Sequence, residues 1–178
     1  RIRLMTSVLL APMRNAGVLA KQAATLDVIA GGRLTLGMAV GSRPDDYAVA
    51  PSNIHDRGRR FDAQLAHMMR IWAGNALDGA GPVGPVPVQP NRPEVLIGGR
   101  VPTALRRVAS WADGYVTGAV FSPSTAKGIY DQVVEFWKEA GREGLPRFVG
   151  TVACAIGEEA AIKTAASIDH YYHYRGTA

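Results

Sequence analysis

A single cysteine in 178 residues excludes an internal disulfide and any zinc site built from several thiolates. It also fits a reducing cytoplasm. No run of about 20 apolar residues is present, so no helical membrane span is expected. No basic segment leads into an apolar stretch as a secretory signal would. The four histidines, His55, His67, His170 and His173, include no H-E-x-x-H pair. His170 and His173 are three residues apart, but only Asp169 stands near as a further ligand, so no metal is expected. Ser7, Ser42 and Ser122 lie in no G-x-S-x-G elbow, and the adjacent Asp45 and Asp46 point apart rather than forming an acid–base pair. Neither a Walker loop nor a G-x-G-x-x-G fingerprint occurs; the G-M-A-V-G string over 37–41 lies within and after a strand. A chain with no nucleophile set, metal set or acid–base pair points to a bound cofactor carrying the reaction.

Twenty lysines and arginines against 15 acidic residues give a net charge of +5. The densest basic cluster, Arg57, Arg59 and Arg60, is too short for a nucleic-acid face, which needs clustered charge interleaved with aromatics. A few arginines suit an anionic small molecule better, and neither a nucleic-acid nor a membrane partner is expected. With 47% hydrophobic and 20% charged residues, the composition is that of one globular domain over 1–178.

Order along the chain gives the class. The mostly apolar stretch over 2–10 reads as a strand buried on both faces. Val18, Leu19, Ala23, Leu26, Ile29 and Ala30 recur at helical spacing, and Gly31-Gly32 supplies a left-handed cap. A second strand follows over 33–40, then a polar loop over 42–56. A helix with Phe61, Leu65, Met68, Met69 and Trp72 on one stripe comes next. Residues 74–93 hold five of the 11 prolines, and with 42–56 this segment is expected to shape the substrate side. Strands over 95–97, 115–117 and 148–156 alternate with helices over 102–112, 122–141 and the last stretch, through His170 to Tyr174. Cys154 reads as buried in the fifth strand, and Trp72 and Trp137 as core. Alternation of this kind is α/β with a parallel sheet. Length favours an open flavodoxin-like sheet, with part of a (β/α)8 barrel as the alternative.

In both architectures ligands sit at the carboxyl ends of the strands. Those ends read Ser7-Val8, Val40-Gly41-Ser42, Gly98-Gly99-Arg100, Thr117-Gly118 and Ile156-Gly157. Glycine at four of them lets backbone approach a flat or anionic ligand closely. Gly98-Gly99-Arg100, just before a helix, is the best phosphate candidate, with Thr117 and Gly118 on the next strand end.

Three strings carry a resemblance. They are I-R-L-M-T-S-V-L over 2–9, L-A-K-Q-A-A-T-L-D over 19–27 and G-G-R-L-T-L-G over 31–37. With I-G-G over 97–99 and A-D-G over 112–114, the sequence resembles the bacterial luciferase-like monooxygenase superfamily. The resemblance implies a (β/α)8 TIM-barrel-like fold of which this chain carries strands three to seven, an incomplete barrel or a fragment. It implies FMN or coenzyme F-420 as cofactor and a flavin- or deazaflavin-dependent oxidoreductase or monooxygenase acting on a small organic substrate. The alternatives are a non-catalytic flavin-binding protein on the same scaffold and an open-sheet nucleotide-binding module. Matched by position, Ser7-Val8 falls where several members carry a non-prolyl cis peptide under the ring. Val40, Gly41 and Ser42 would edge the ring, and Gly98, Gly99, Arg100, Thr117 and Gly118 would lie at the phosphate. Ser42 stands where the deazaflavin-dependent sugar-phosphate dehydrogenases carry glutamate, which argues against that activity. The arginine that luciferase-like FMN sites carry near Val40 is missing, so the choice of cofactor stays open. The resemblance also implies a homodimer.

Overall fold

A computed structural model describes residues 2–77, 79, 81–119, 122–152 and 154–173. Its elements are β1 (Leu4–Leu10), α1 (Ala16–Ala30), β2 (Leu34–Ala39), α2 (Pro44–Val49), α3 (Arg57–Trp72), β3 (Glu94–Ile97), α4 (Pro102–Trp111), β4 (Gly114–Ala119), α5 (Pro123–Glu139), β5 (Arg147–Thr151) and α6 (Ala160–Tyr172). The caps are local chemistry. Asn15 accepts the Val18 amide at 3.0 Å to open α1, Gly31 closes it at φ 60°, and Ser122 accepts the Thr125 amide at 3.1 Å to open α5.

All strand pairs are parallel, and the order is β1-β2-β3-β4-β5. Right-handed crossovers between strands that are both sequential and adjacent carry every helix to the same face. An open doubly wound sheet needs its strand order to reverse at a switch point. This order has no reversal, which overturns the open-sheet reading and its nucleotide module. The sheet is a half-barrel. Its helix-facing side packs Leu34, Leu36, Met38, Val95, Ile97 and Tyr115 against Leu19, Ala23, Leu65, Met68, Leu105 and Val108, all buried. Trp72 and Trp137 join this core, as expected. The opposite face lines the interior, where Leu96 and Val116 are fully buried.

At the amino end of the strands the interior is polar. The Glu94 carboxylate accepts from Arg3 at 2.8 Å, from the Thr35 hydroxyl and from Arg147. Burial alone would raise its pKa. Hydrogen bonds from Thr35 and Arg147 and the charges of Arg147 and Arg3 outweigh that and hold the carboxyl below its ordinary range. Nearby, Asp113 takes a forked contact from Arg92 and accepts the Val95 amide at 2.8 Å. Gly114 follows because a Cβ there would lie 2.1 Å from the Arg147 carbonyl oxygen. The A-D-G string therefore ties β3, β4 and β5 together at their starts.

Several expectations need correction. The inward face of α1 is Leu19, Ala20, Ala23, Ala24, Asp27 and Ala30, while Val18, Leu26 and Ile29 are 52–75% exposed. Small alanines let α1 lie close against α3 and β2, and Leu26 lines an open groove of about 610 Å³ together with Leu9, Leu34 and Leu36. The loop over 42–56 contains α2 and a 3-10 turn, Ile54–Asp56. The fifth strand ends at Thr151 rather than 156, so Cys154 is exposed. Segment 74–93 leaves the end of α3 and enters the start of β3, which places it at the amino end of the sheet rather than at the carboxyl ends of the strands. There Asp27, fully buried, accepts the amides of Val88 and Gln89 at 2.9 and 3.0 Å and the Gln89 side-chain amide at 2.7 Å. Among the described residues no helix is long and apolar enough to cross a membrane.

Asp27→Ala strands three donors and is expected to cost about 3 kcal/mol, read as a lower urea midpoint, with faster proteolytic cutting within 81–93. The depressed Glu94 pKa contributes stability that is fully present above the ordinary glutamate range and lost as pH falls through the lowered value. Glu94→Gln should therefore be less stable than the parent at neutral pH, and the gap should close in acid. Urea midpoints across a pH series check it.

Candidate functional site

The carboxyl ends of the strands meet on one rim, because all five run the same way. Ser7 and Val8 sit within β1, joined by a cis peptide bond, at the register shift between Thr6 and Leu9. Ser7 Oγ lies 3.4 Å from Thr151 Oγ1, so the two outermost strands approach across the interior. Thr151 carries no sequence motif and was not singled out; its period-2 place after Arg147 and Val149 is the available signal.

On β2 and β3 the rim is built from small residues at close range. Gly41 adopts φ 76°, and a Cβ there would crowd the Leu10 side chain at 3.1 Å. Gly98 continues the ladder by donating its amide to the Met38 carbonyl at 2.9 Å. A Cβ on it would sit 3.0 Å from the Val116 carbonyl oxygen and 3.8 Å from Ala39 Cβ. Gly99 abuts the first turn of α4, where a Cβ would lie 2.4 Å from Ala104 Cβ. Arg100 is exposed beside it. On β4, a Cβ at Gly118 would meet nothing within 4 Å among the described residues. Thr117 is buried, and its hydroxyl oxygen accepts the Thr151 amide at 2.9 Å, which ties β5 to β4.

Two tyrosines that sequence reasoning passed over hold this rim. Tyr47 on α2 donates its hydroxyl to the Val40 carbonyl, and Tyr115 on β4 donates to the Gly99 carbonyl at 2.7 Å. Both rings are almost fully buried, and Tyr115 stacks on Phe148 with centroids 6.0 Å apart.

The mouth loops surround the rim. Arg43 lies 3.9 Å from Asp45 and 6.0 Å from the ring centroid of Tyr171, so the end of α6 reaches the loop after β2. Arg57 donates to the Ile54 carbonyl at 2.6 Å. A cleft of about 410 Å³ opens between the turn after β1 and α2, lined by Met13, Arg14, Asp45, Asp46, Val49 and Ala50. His170 and His173 lie on the exposed surface of α6 and its end. Among the described residues no group of three or more His, Cys, Asp or Glu is placed to hold a metal. Tyr174 lies outside the described residues. Ile156 and Gly157 lie beyond the end of β5 and play no part in the rim.

Comparison with known proteins places this geometry. The model of the luciferase-like monooxygenase family matches residues 1–177. An uncharacterized protein of Mycobacterium tuberculosis, Rv0953c, is 32% identical over 162 residues, 84% of this chain and 55% of that protein. Monooxygenase RslO1 from Streptomyces bottropensis superposes with a TM-score of 0.81 at 22% identity, covering 100% of this chain and 58% of that one. The oxygenating constituent of 3,6-diketocamphane monooxygenase from Pseudomonas putida, in complex with FMN, gives 0.72 at 20% identity over 87% of this chain and 49% of that one. A secondary alcohol dehydrogenase dependent on F-420, in complex with an F-420–acetone adduct, gives 0.66 at 18% over 84% and 49%. These structural likenesses speak to the fold, and the chain spans about half the length of the curated relatives it matches.

Gly99→Ala forces backbone or α4 to move, since the clashing atom is a short Cβ. It is expected to destabilise the chain by about 1–3 kcal/mol in urea unfolding, whereas Gly118→Ala should be close to neutral.

Proposed function

Because the chain belongs to the luciferase-like monooxygenase family, we propose that it forms the coenzyme seat of a flavin- or deazaflavin-dependent oxidoreductase acting on a small organic substrate. The observation that carries this reading is the small-residue rim. Ala39 ends β2 with Gly98 beside it just past β3, Gly118 follows on β4, and Ser7 faces them from within β1; among the described residues nothing lies within 4 Å of a Cβ placed on Gly118. A planar ring needs such a floor, and a larger residue at any of these positions would occupy it.

A bound FMN or F-420 would supply the hydride or electron transfer, which fits a mouth without an evident nucleophile or acid–base pair. The chain's own work is binding and exclusion. Ser7 and Val8 would lie under the ring, and Val40, Gly41 and Ser42 at its edge. Gly98, Gly99 and Arg100 would receive the anionic tail beside the start of α4, which has no side-chain cap. Gly118 gives it room, and Thr117 holds the neighbouring strand. The buried Leu96 and Val116 beneath keep water from the underside. The cleft lined by Met13, Asp45, Asp46 and Val49 lies on the same rim and is open to a substrate. A homodimer is part of the proposal, supported by the exposed apolar groove beside β1 and α1. So is a reducing cytoplasm, which suits the lone, exposed Cys154.

Fluorescence titration of the chain with FMN and with F-420 tests the reading. One of the two is expected to be quenched on binding. Gly118→Val should weaken that binding at least about tenfold without lowering the unfolding midpoint, because a Cβ there meets no described atom within 4 Å and the added methyls would intrude on the seat. No quenching with either coenzyme would sink the proposal. Turnover of the bound reduced coenzyme with oxygen or substrate separates an enzyme from a passive binder.

A further inference from the structure

We propose that Tyr47 and Tyr115 are positioning residues of the coenzyme seat, each aiming one rim amide by holding the carbonyl of the same peptide plane. The inference rests on the reading that these strand ends seat the coenzyme. Its physical basis is independent of that reading.

The rim peptides at issue are Val40–Gly41 and Gly99–Arg100. Each includes or adjoins glycine, whose backbone turns at little cost. Both lie past the last regular ladder residues of their strands, Ala39 and Ile97, so strand pairing does not fix them. A carbonyl in such a place needs a donor or swings to find one. Tyr47 supplies it to Val40 from seven residues on, and Tyr115 supplies it to Gly99 from 16 residues on.

Peptide planarity then does the rest. The carbonyl of one residue and the N–H of the next are rigidly opposed. Holding the Val40 oxygen therefore sets the direction of the Gly41 N–H, and holding the Gly99 oxygen sets that of the Arg100 N–H. These N–H groups belong to residues assigned above to the ring edge and to the anionic tail.

The anchors themselves are firm. The Tyr47 and Tyr115 rings are 2% and 1% exposed. Their hydroxyls also remain donors. Burial raises both pKa values above the ordinary tyrosine range, against the opposing pull of Arg57 and Arg60 on Tyr47 and of Arg100 on Tyr115. Asp56 and Asp46 push Tyr47 the same way as burial. The two tyrosines come from different elements, a short helix and a strand, and converge on the same task at neighbouring strand ends.

The test removes only the hydroxyls. Tyr47→Phe and Tyr115→Phe are each expected to weaken binding of whichever coenzyme the parent takes by about tenfold, the size of one net hydrogen bond. A residue that merely stabilised the fold would not move the second readout, the slowing of amide hydrogen exchange that bound coenzyme confers at single rim residues. The slowing at Gly41 should shrink in Tyr47→Phe and not in Tyr115→Phe, and the slowing at Arg100 should show the reverse. Because the substitutions are independent, either decides the matter if the other fails to fold. Unchanged slowing at both amides, or unchanged coenzyme affinity in both variants, overturns the inference alone. A parent chain that binds neither coenzyme overturns the functional reading and this inference with it.

Discussion

One constraint governs the rest of the structure: consecutive parallel strands, each joined to its neighbour by a crossover of fixed hand. With order β1-β2-β3-β4-β5, the helices have only one face to cover. The other face is left to curve inward, and the carboxyl ends of the strands collect on one rim. Packing on the covered face is made by branched and aromatic side chains such as Ile97 and Tyr115, while the rim carries glycine at 41, 98, 99 and 118. A core gains from filled volume, and the coenzyme seat proposed for the rim requires that volume to be left empty.

Polar groups are distributed on the same logic. At the amino end, Glu94 and Asp113 are satisfied by arginines and backbone amides, and these contacts tie strand starts together. At the carboxyl end, Thr117 and the two rim tyrosines spend their hydroxyl groups on backbone partners. Side-chain hydrogen bonding at the rim thus shapes main chain, and the main chain is what faces the mouth.

Much of this was legible in the sequence. The alternation of apolar strands with 3.6-period stripes gave the class, and Gly31 and Ser122 marked helix ends where they stand. The glycines at 41, 98, 99 and 118 marked the rim, and the cis peptide at Ser7–Val8 came from the resemblance rather than from spacing. What was not legible depended on distant partners. Val18, Leu26 and Ile29 match a helical period as well as the alanines do, and only the approach of α3 and β2 decides which set is buried. Cys154 follows an apolar strand pattern, yet strand pairing ends at Thr151. The rim tyrosines carry no motif because their role is a contact across seven and 16 residues. The placement of segment 74–93 was available in principle. A stretch between a helix and the following strand lies at the amino end of the sheet in any βα architecture.

That last segment has a consequence of its own. Its anchor is Asp27, one strand length from the rim, or about 20 Å for the six residues of β2. A chain built this way can lengthen, shorten or restiffen its proline-rich strap with little effect on the backbone geometry at the opposite pole. The molecule thus keeps the anchoring that governs its durability apart from the shape of its rim, and drift in one need not disturb the other.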